Sequence, residues 1–234
     1  MAARRKSSTT AVYVEVGKKR AFASARDWPG WSRAGRDEDG AVTALADYVT
    51  RYATVAEEAG LDFPPTVADR IDVVEHLPGD ATTEFGAPGA VAEGDHDDLS
   101  PAEAERQAAL LEAAWTLFDR VVAAAPPTLA KGPRGGGRDR DPIVDHVVGA
   151  EAAYARKIGI AHKAPAGGDR EAVAALRTEI LDAVRSRRFG APPRSKPWPA
   201  RYAIRRIAWH VLDHAWEIED KAVVPQPGGA GTKR

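Results

Sequence analysis

The chain of 234 residues contains no cysteine and a single methionine. The absence of cysteine excludes disulfide bonds, thiolate metal ligands and a cysteine nucleophile, so any thiol chemistry requires an external thiol. Acidic and basic residues nearly cancel, and the net charge of −1 lacks the basic excess typical of nucleic-acid binding. No apolar run approaches the length of a membrane span, and the basic start leads into no apolar signal segment. We therefore expect a cytoplasmic protein with no membrane partner and no direct nucleic-acid partner.

The clearest helical pattern lies near the end of the chain, from Arg201 to Ala222. Its apolar residues recur at three- and four-residue steps, which predicts a long helix with one face in a core. His210 and His214 lie one turn apart at the edge of that face, and Glu217 lies close to the same line. Two interpretations stay open: two hydrogen-bonded histidines at the edge of the core, or two ligands of one divalent cation that needs a third ligand.

A third histidine, His146, follows the start of another amphipathic helix that begins near Asp141. Three neutral imidazoles can hold a cation and leave coordination positions open to water or substrate, as in catalytic sites. Imidazole nitrogen suits zinc or nickel, and manganese or iron stays open. We predict a metal site formed by His146, His210 and His214, to which the other three histidines do not contribute: His76, His96 and His162.

The motifs around these histidines, Asp145-His146-Val147 and Trp209-His210-Val211-Leu212-Asp213-His214, resemble the DinB-like superfamily. The resemblance covers residues 99–224 and implies a four-helix bundle in which the three histidines bind a divalent metal. It also implies an enzyme, either a metal-dependent hydrolase or a transferase that uses a low-molecular-weight thiol. Glu217 and Asp213 are the candidates for proton transfer or for support of the metal ligands.

A basic, glycine-rich segment, Leu129 to Arg140, leads directly into the helix that carries His146. It lacks the Gly-Lys-Ser/Thr ending of a phosphate-binding loop, so nucleotide binding is not supported. One interpretation is a flexible connection between helices. The other is a binding site beside the metal for a small anionic substrate or thiol, in which helix N–H groups and arginine side chains take part: Arg134, Arg138 and Arg140.

The first part of the chain predicts strands. Alternating residues from Val12 to Val16, a polar turn, and a Pro-Gly turn at Pro29-Gly30 predict three short strands, which precede one helix and a strand near Ile71. This β-β-β-α-β order resembles the HicB-like antitoxin fold, which implies binding of a protein partner. A small docking or dimerisation domain is the alternative interpretation.

The expected architecture is therefore α+β, with a small domain at 11–78, a linker or long loop at 79–98 and the helical bundle at 99–224. The tails at 1–10 and 225–234 are expected to be disordered. Arg205, Trp209 and Trp216 are predicted to form a contact surface that the N-terminal domain or a homodimer partner covers. A non-catalytic interaction protein, stabilised by its metal and binding a partner through the HicB-like domain, is the alternative to the enzyme.

Overall fold

The computed structural model describes residues 9–132, 135–190 and 196–222, and within them the chain has an α+β fold. The strands are β1 (Thr10–Val16), β2 (Ala21–Ala25), β3 (Ser32–Gly35) and β4 (Ile71–Pro78). The first helices are α1 (Glu38–Asp47), α2 (Val49–Glu58) and α3 (Ala81–Phe85). The long helices are α4 (Pro101–Ala124), α5 (Arg140–Lys157), α6 (Arg170–Ser186) and α7 (Ala200–Lys221).

The four strands form one mixed sheet in the order β3-β2-β1-β4. The hairpins predicted from the alternating residues are present, because β1 pairs antiparallel with β2 and β2 pairs antiparallel with β3. The last strand, β4, pairs parallel with β1 after the helical crossover. Thr10 begins β1 and is buried, although the sequence assigned it to a disordered tail. The rest of both tails lies outside the described residues, apart from Thr9.

The single helix predicted after β3 is instead two helices. Asp37 caps α1 by accepting from the N–H of Gly40, but the chain leaves helical geometry at Tyr48. This break directs the Tyr48 ring toward Trp216 of α7, with a centroid separation of 5.1 Å. The guanidinium of Arg33 lies 3.8 Å from the same ring. Contacts between layers thus explain a break that helical periodicity alone does not reveal.

The four long helices contact one another in the cyclic order α4, α6, α5, α7. Ser100 and Glu103 form a capping box at the start of α4, which fixes where that helix begins. Glu151 of α5 is buried and accepts hydrogen bonds from Trp115 and Arg177, which links α5 to α4 and α6. Helix α7 contacts both α4 and α5, and this position brings its histidines close to His146.

The sheet side of the protein covers the outer face of α7. Trp209 lies edge-on to Phe22 of β2, Trp216 contacts Tyr48, and both indoles are buried. Gly30 has a φ of +91°, and a methyl group added there would lie 2.6 Å from Leu212. The predicted contact surface on α7 therefore exists, and the N-terminal part of the same chain covers it. Buried residues from both parts belong to one continuous hydrophobic core.

The segment 79–98, expected to be a linker or long loop, is packed between the sheet and α7. It contains α3 and a short 3-10 helix at Glu93–His96. The buried carboxylate of Glu15 accepts hydrogen bonds from the N–H groups of Gly89 and Ala90, and Asp95 forms a buried ion pair with Arg205. Polar contacts of this kind produce no apolar periodicity in the sequence. The composition of the segment therefore predicted a linker or long loop.

Candidate metal centre

Two helices bring the three predicted histidines together. His146 lies in the second turn of α5, and His210 and His214 lie one turn apart on α7. Each of the three can offer a ring nitrogen such that these atoms all lie within 4.8 Å of one another. His210 is 7% exposed and His214 is 9% exposed, whereas His146 is exposed at the surface. The cluster is therefore enclosed on the α7 side and open to solvent on the α5 side.

His146 and His210 are already spaced like two ligands of one ion. The Nε2 atoms of His146 and His210 lie 3.2 Å apart. Two nitrogens bound at the usual length to a tetrahedral zinc ion would lie about 3.4 Å apart. The Nδ1 atom of His210 is buried and has no hydrogen-bond partner among the described residues, which leaves Nε2 as its engaged atom. This geometry fits a shared cation between the two rings.

Glu217 fixes the third imidazole. Its Oε2 lies 2.6 Å from Nδ1 of His214, one turn back on α7, and its Oε1 accepts from Lys221. Because Nδ1 is engaged by the carboxylate, Nε2 of His214 is the nitrogen left free for a metal. A carboxylate that orients a metal-binding histidine in this way is a common arrangement in metal sites. The structure thus places Glu217 beside a predicted ligand.

The electrostatic environment disfavours protonation of His146 and His210. Burial and, to a smaller extent, the neighbouring imidazoles lower the pKa of His210 to about 2. Burial of its inner edge also lowers the pKa of His146, with a smaller contribution from Arg138. The hydrogen bond from His214 holds the pKa of Glu217 at about 2, so this carboxylate is charged. The neutral form that His146 and His210 favour is the protonation state that metal binding requires of an imidazole.

Asp213, the other residue predicted for proton transfer, is paired on the sheet side of α7. Its Oδ1 accepts from Arg33 of β3 at 3.0 Å. Burial raises the pKa of Asp213, and the positive charge of Arg33 opposes that effect. Asp213 therefore links α7 to the sheet. Of the two residues predicted for proton transfer, Glu217 is the one whose side chain contacts a histidine.

The two described arginines of the basic loop before α5 have different surroundings. Arg140 donates to the carbonyl oxygen of Ala125 and pairs with Asp141, so its guanidinium is committed to the start of the helix. Arg138 is exposed, and its charge acts on both His146 and His210. Arg134 lies outside the described residues. Of the three predicted anion-binding arginines, Arg138 is the one for which the structure gives an electrostatic effect at the cluster.

Two residues that the sequence analysis did not select also adjoin the cluster. Tyr154 of α5 lies edge-on to His210, with ring centroids 5.6 Å apart. Arg206 precedes His210 by one turn of α7, and its guanidinium lies 5.6 Å from the Tyr154 ring. The four-residue spacing between Arg206 and His210 was a visible signal in the sequence. Its significance depends on Tyr154, which the fold brings to Arg206 from another helix.

The remaining histidines have other surroundings. His76 pairs with Glu38 between β4 and α1, and His162 contacts the carbonyl oxygen of Lys163. His96 ends the 3-10 helix of the segment 79–98. The one cluster of three or more possible metal ligands found in the described part of the chain is the predicted set. That part also contains no helix long and apolar enough to cross a membrane.

Comparisons with known proteins add no identification. No protein-family model, no characterised protein and no solved structure matches the chain.

Proposed function

We propose that this protein is a DinB-like, metal-dependent enzyme, either a hydrolase or a transferase that uses a low-molecular-weight thiol. The observation that carries the proposal is the convergence of His146, His210 and His214 from two helices at a point open to solvent. The cyclic contacts of α4 to α7 support a bundle of the DinB type. Zinc or nickel is the cation that three imidazole ligands favour.

A divalent cation held by these rings would lower the pKa of a water or thiol bound beside it and so supply a nucleophile at neutral pH. The chain's own residues prepare the site for this chemistry. His214 is held in one orientation by Glu217, and Glu217 is held by Lys221. Glu217 is ionised, so it accepts hydrogen bonds from both His214 and Lys221. Trp209 and the sheet close the site from behind, which leaves the exposed side of His146 as the route of approach.

The competing proposal is an interaction protein in which the cation only stabilises the helices. The two proposals differ in whether an external ligand can reach the bound cation. Three protein ligands leave a tetrahedral ion one free position, and the exposure of His146 supports access to it. A dimer in which a second copy covers this side would instead support the interaction protein.

The experiment is elemental analysis of the purified protein, followed by titration of the metal-loaded protein with low-molecular-weight thiols and a screen against simple esters and amides. The enzyme proposal predicts about one cation per chain, a spectral change on cobalt-substituted protein when thiol is added, and metal-dependent turnover. The interaction protein would be favoured if thiols leave the spectrum of the cobalt-substituted protein unchanged while metal binding raises the melting temperature.

A further inference from the structure

A line of aromatic and cationic side chains extends from the histidine cluster along α7. Tyr202, Arg206, His210 and His214 follow one another at four-residue spacing, so they lie on one side of the helix, about one turn apart. Trp198 extends this line beyond the start of α7. The facing residue on α5 is Tyr154. We call Trp198, Tyr202, Arg206 and Tyr154 the aromatic strip.

The contacts within the strip are close and defined. The rings of Tyr154 and Trp198 have centroids 5.2 Å apart, and those of Trp198 and Tyr202 are 4.9 Å apart. The backbone N–H of Trp198 donates to the carbonyl oxygen of Lys157, which attaches the segment before α7 to the end of α5. Tyr154 then contacts His210, so the aromatic surface is continuous with the metal ligands. Tyr154, Trp198 and Arg206 are each partly exposed.

Arg206 lies in the middle of this surface. Its side chain is positioned by the rings of Trp209 and Tyr154, at 4.8 and 5.6 Å from the guanidinium carbon. Its Nη1 donates to the carbonyl oxygen of Pro88. A guanidinium has five N–H donors, and within the described residues no carboxylate pairs with this one. By contrast Arg205, the preceding residue of α7, forms a buried ion pair with Asp95.

We propose that the strip is the substrate-binding surface of the enzyme and that it selects a carboxylate attached to a planar aromatic or apolar group. Arg206 binds the carboxylate, and Tyr154 and Trp198 contact the flat face of the attached group. The spacing along α7 then places the reacting bond about 5–6 Å from the carboxylate, one helical turn further along at His210. This inference deepens the proposed function and depends on it.

The strip explains substrate selection better than the basic loop does. Arg140 of the loop is committed to Ala125 and Asp141, while Arg206 is held beside both an aromatic surface and a predicted metal ligand. A single guanidinium matches a monoanionic carboxylate, to which it donates two parallel hydrogen bonds. A more highly charged group such as a phosphate would call for further cations at the same place.

The test is equilibrium binding of phenylacetate, phenylacetamide and acetate to the metal-loaded full chain, followed by calorimetry or by tryptophan fluorescence. Phenylacetate should bind most tightly, because it alone offers both the carboxylate and the ring. Arg206→Gln should weaken it by at least about tenfold, the loss expected for a charge-assisted hydrogen bond. Trp198→Ala should weaken it as well, and Trp198→Phe should restore part of the loss. Arg156→Gln is the matched control, since Arg156 is exposed on α5 and outside the strip.

The metal content of every variant separates this inference from the proposed function. A wild-type protein without bound metal would remove the proposed function itself. Wild-type metal content with equal affinities for acetate and phenylacetate, or with unchanged phenylacetate affinity in Arg206→Gln, would overturn the strip alone. Arg206→Lys guards against misfolding, because it keeps the charge and should retain intermediate affinity at an unchanged melting temperature.

Discussion

The Nε2 atoms of His146 and His210 lie 3.2 Å apart, although 64 positions separate the two residues in the chain. Both rings are kept neutral by their surroundings, and a third imidazole lies within ligand range of both. Two neutral imidazoles in contact need one proton between them, whereas a cation would satisfy both nitrogens as acceptors. The expected consequences of this arrangement concern acid stability, metal affinity and packing.

The metal-free protein should lose stability as the pH falls through the histidine range. Burial holds the pKa of His210 at about 2 in the folded chain, whereas an unfolded histidine titrates near about pH 6.5. Below that pH the unfolded state binds a proton on His210, whereas the folded state leaves His210 neutral. The contribution of His210 is thus fully present above about pH 6.5 and is lost toward lower pH, at about 1.4 kcal/mol per pH unit.

Urea unfolding in the presence of a chelator measures this loss. His210→Gln is the control, because glutamine does not titrate, and it should show a shallower decline at mildly acidic pH. Parallel declines for the two proteins would mean that His210 takes up its proton as readily in the folded state as in the unfolded state.

Glu217→Gln should weaken metal binding without removing a ligand. The substitution removes the carboxylate that accepts a hydrogen bond from Nδ1 of His214, so the ring is less well oriented and less basic. Losses of such carboxylate partners typically cost about 10- to 100-fold in affinity. Competition with a chromogenic chelator gives the dissociation constant. Glu219→Gln, which changes an exposed carboxylate on the same helix, should leave it unchanged, and an equal effect of both substitutions would point to net charge alone.

Glu151→Leu should destabilise the helices strongly. Glu151 is buried between Trp115 and Arg177, so its removal leaves a buried guanidinium with Asp119 as its remaining partner. Loss of one partner of a buried ion pair costs roughly 3–5 kcal/mol. The free energy of unfolding in urea measures the change. Asp119→Asn, which alters the more exposed partner, should cost much less, and equal costs would show that Glu151 has no special role.

Gly30→Ala should weaken the attachment of the sheet to α7. The residue has a φ of +91°, and its added methyl group would lie 2.6 Å from Leu212. Backbone strain and the forced shift of that leucine together should cost about 2–4 kcal/mol of stability. Gly149→Ala is the contrasting control, because a methyl group there meets open space within α5. It should stabilise the protein by roughly 0.5–1 kcal/mol, and a similar sign for both variants would contradict the packing described for Gly30.

Local patterns in the sequence predicted much of the fold and the three clustered histidines. The caps at Asp37 and Ser100 and the four-residue step between His210 and His214 are local features, so they were visible without a structure. The break at Tyr48 and the attachment of the segment 79–98 to Glu15 depend on partners far along the chain. Trp209 and Trp216 looked like an outer face because α7 was expected to have one buried side, whereas a helix between two layers is buried on both.

The arginine proposed to bind a carboxylate, Arg206, is the residue that the sequence indicates least. A glycine-rich loop before a helix suggested a binding site, but hydrogen bonds to Ala125 and Asp141 commit Arg140 to the local structure. The four-residue step from Arg206 to His210 is visible in the sequence, but the aromatic neighbour of Arg206, Tyr154, is on another helix. Only the pairing of α5 with α7 makes that combination visible.

The most direct test of the account is the metal content of six single variants, in which each histidine in turn is replaced by alanine. His146→Ala, His210→Ala and His214→Ala should each lose most of the bound cation, because two imidazoles cannot replace the chelate formed by three. The matched controls should keep the wild-type content: His76→Ala, His96→Ala and His162→Ala. Full metal content in any of the first three variants, measured on folded protein, would contradict the proposed site.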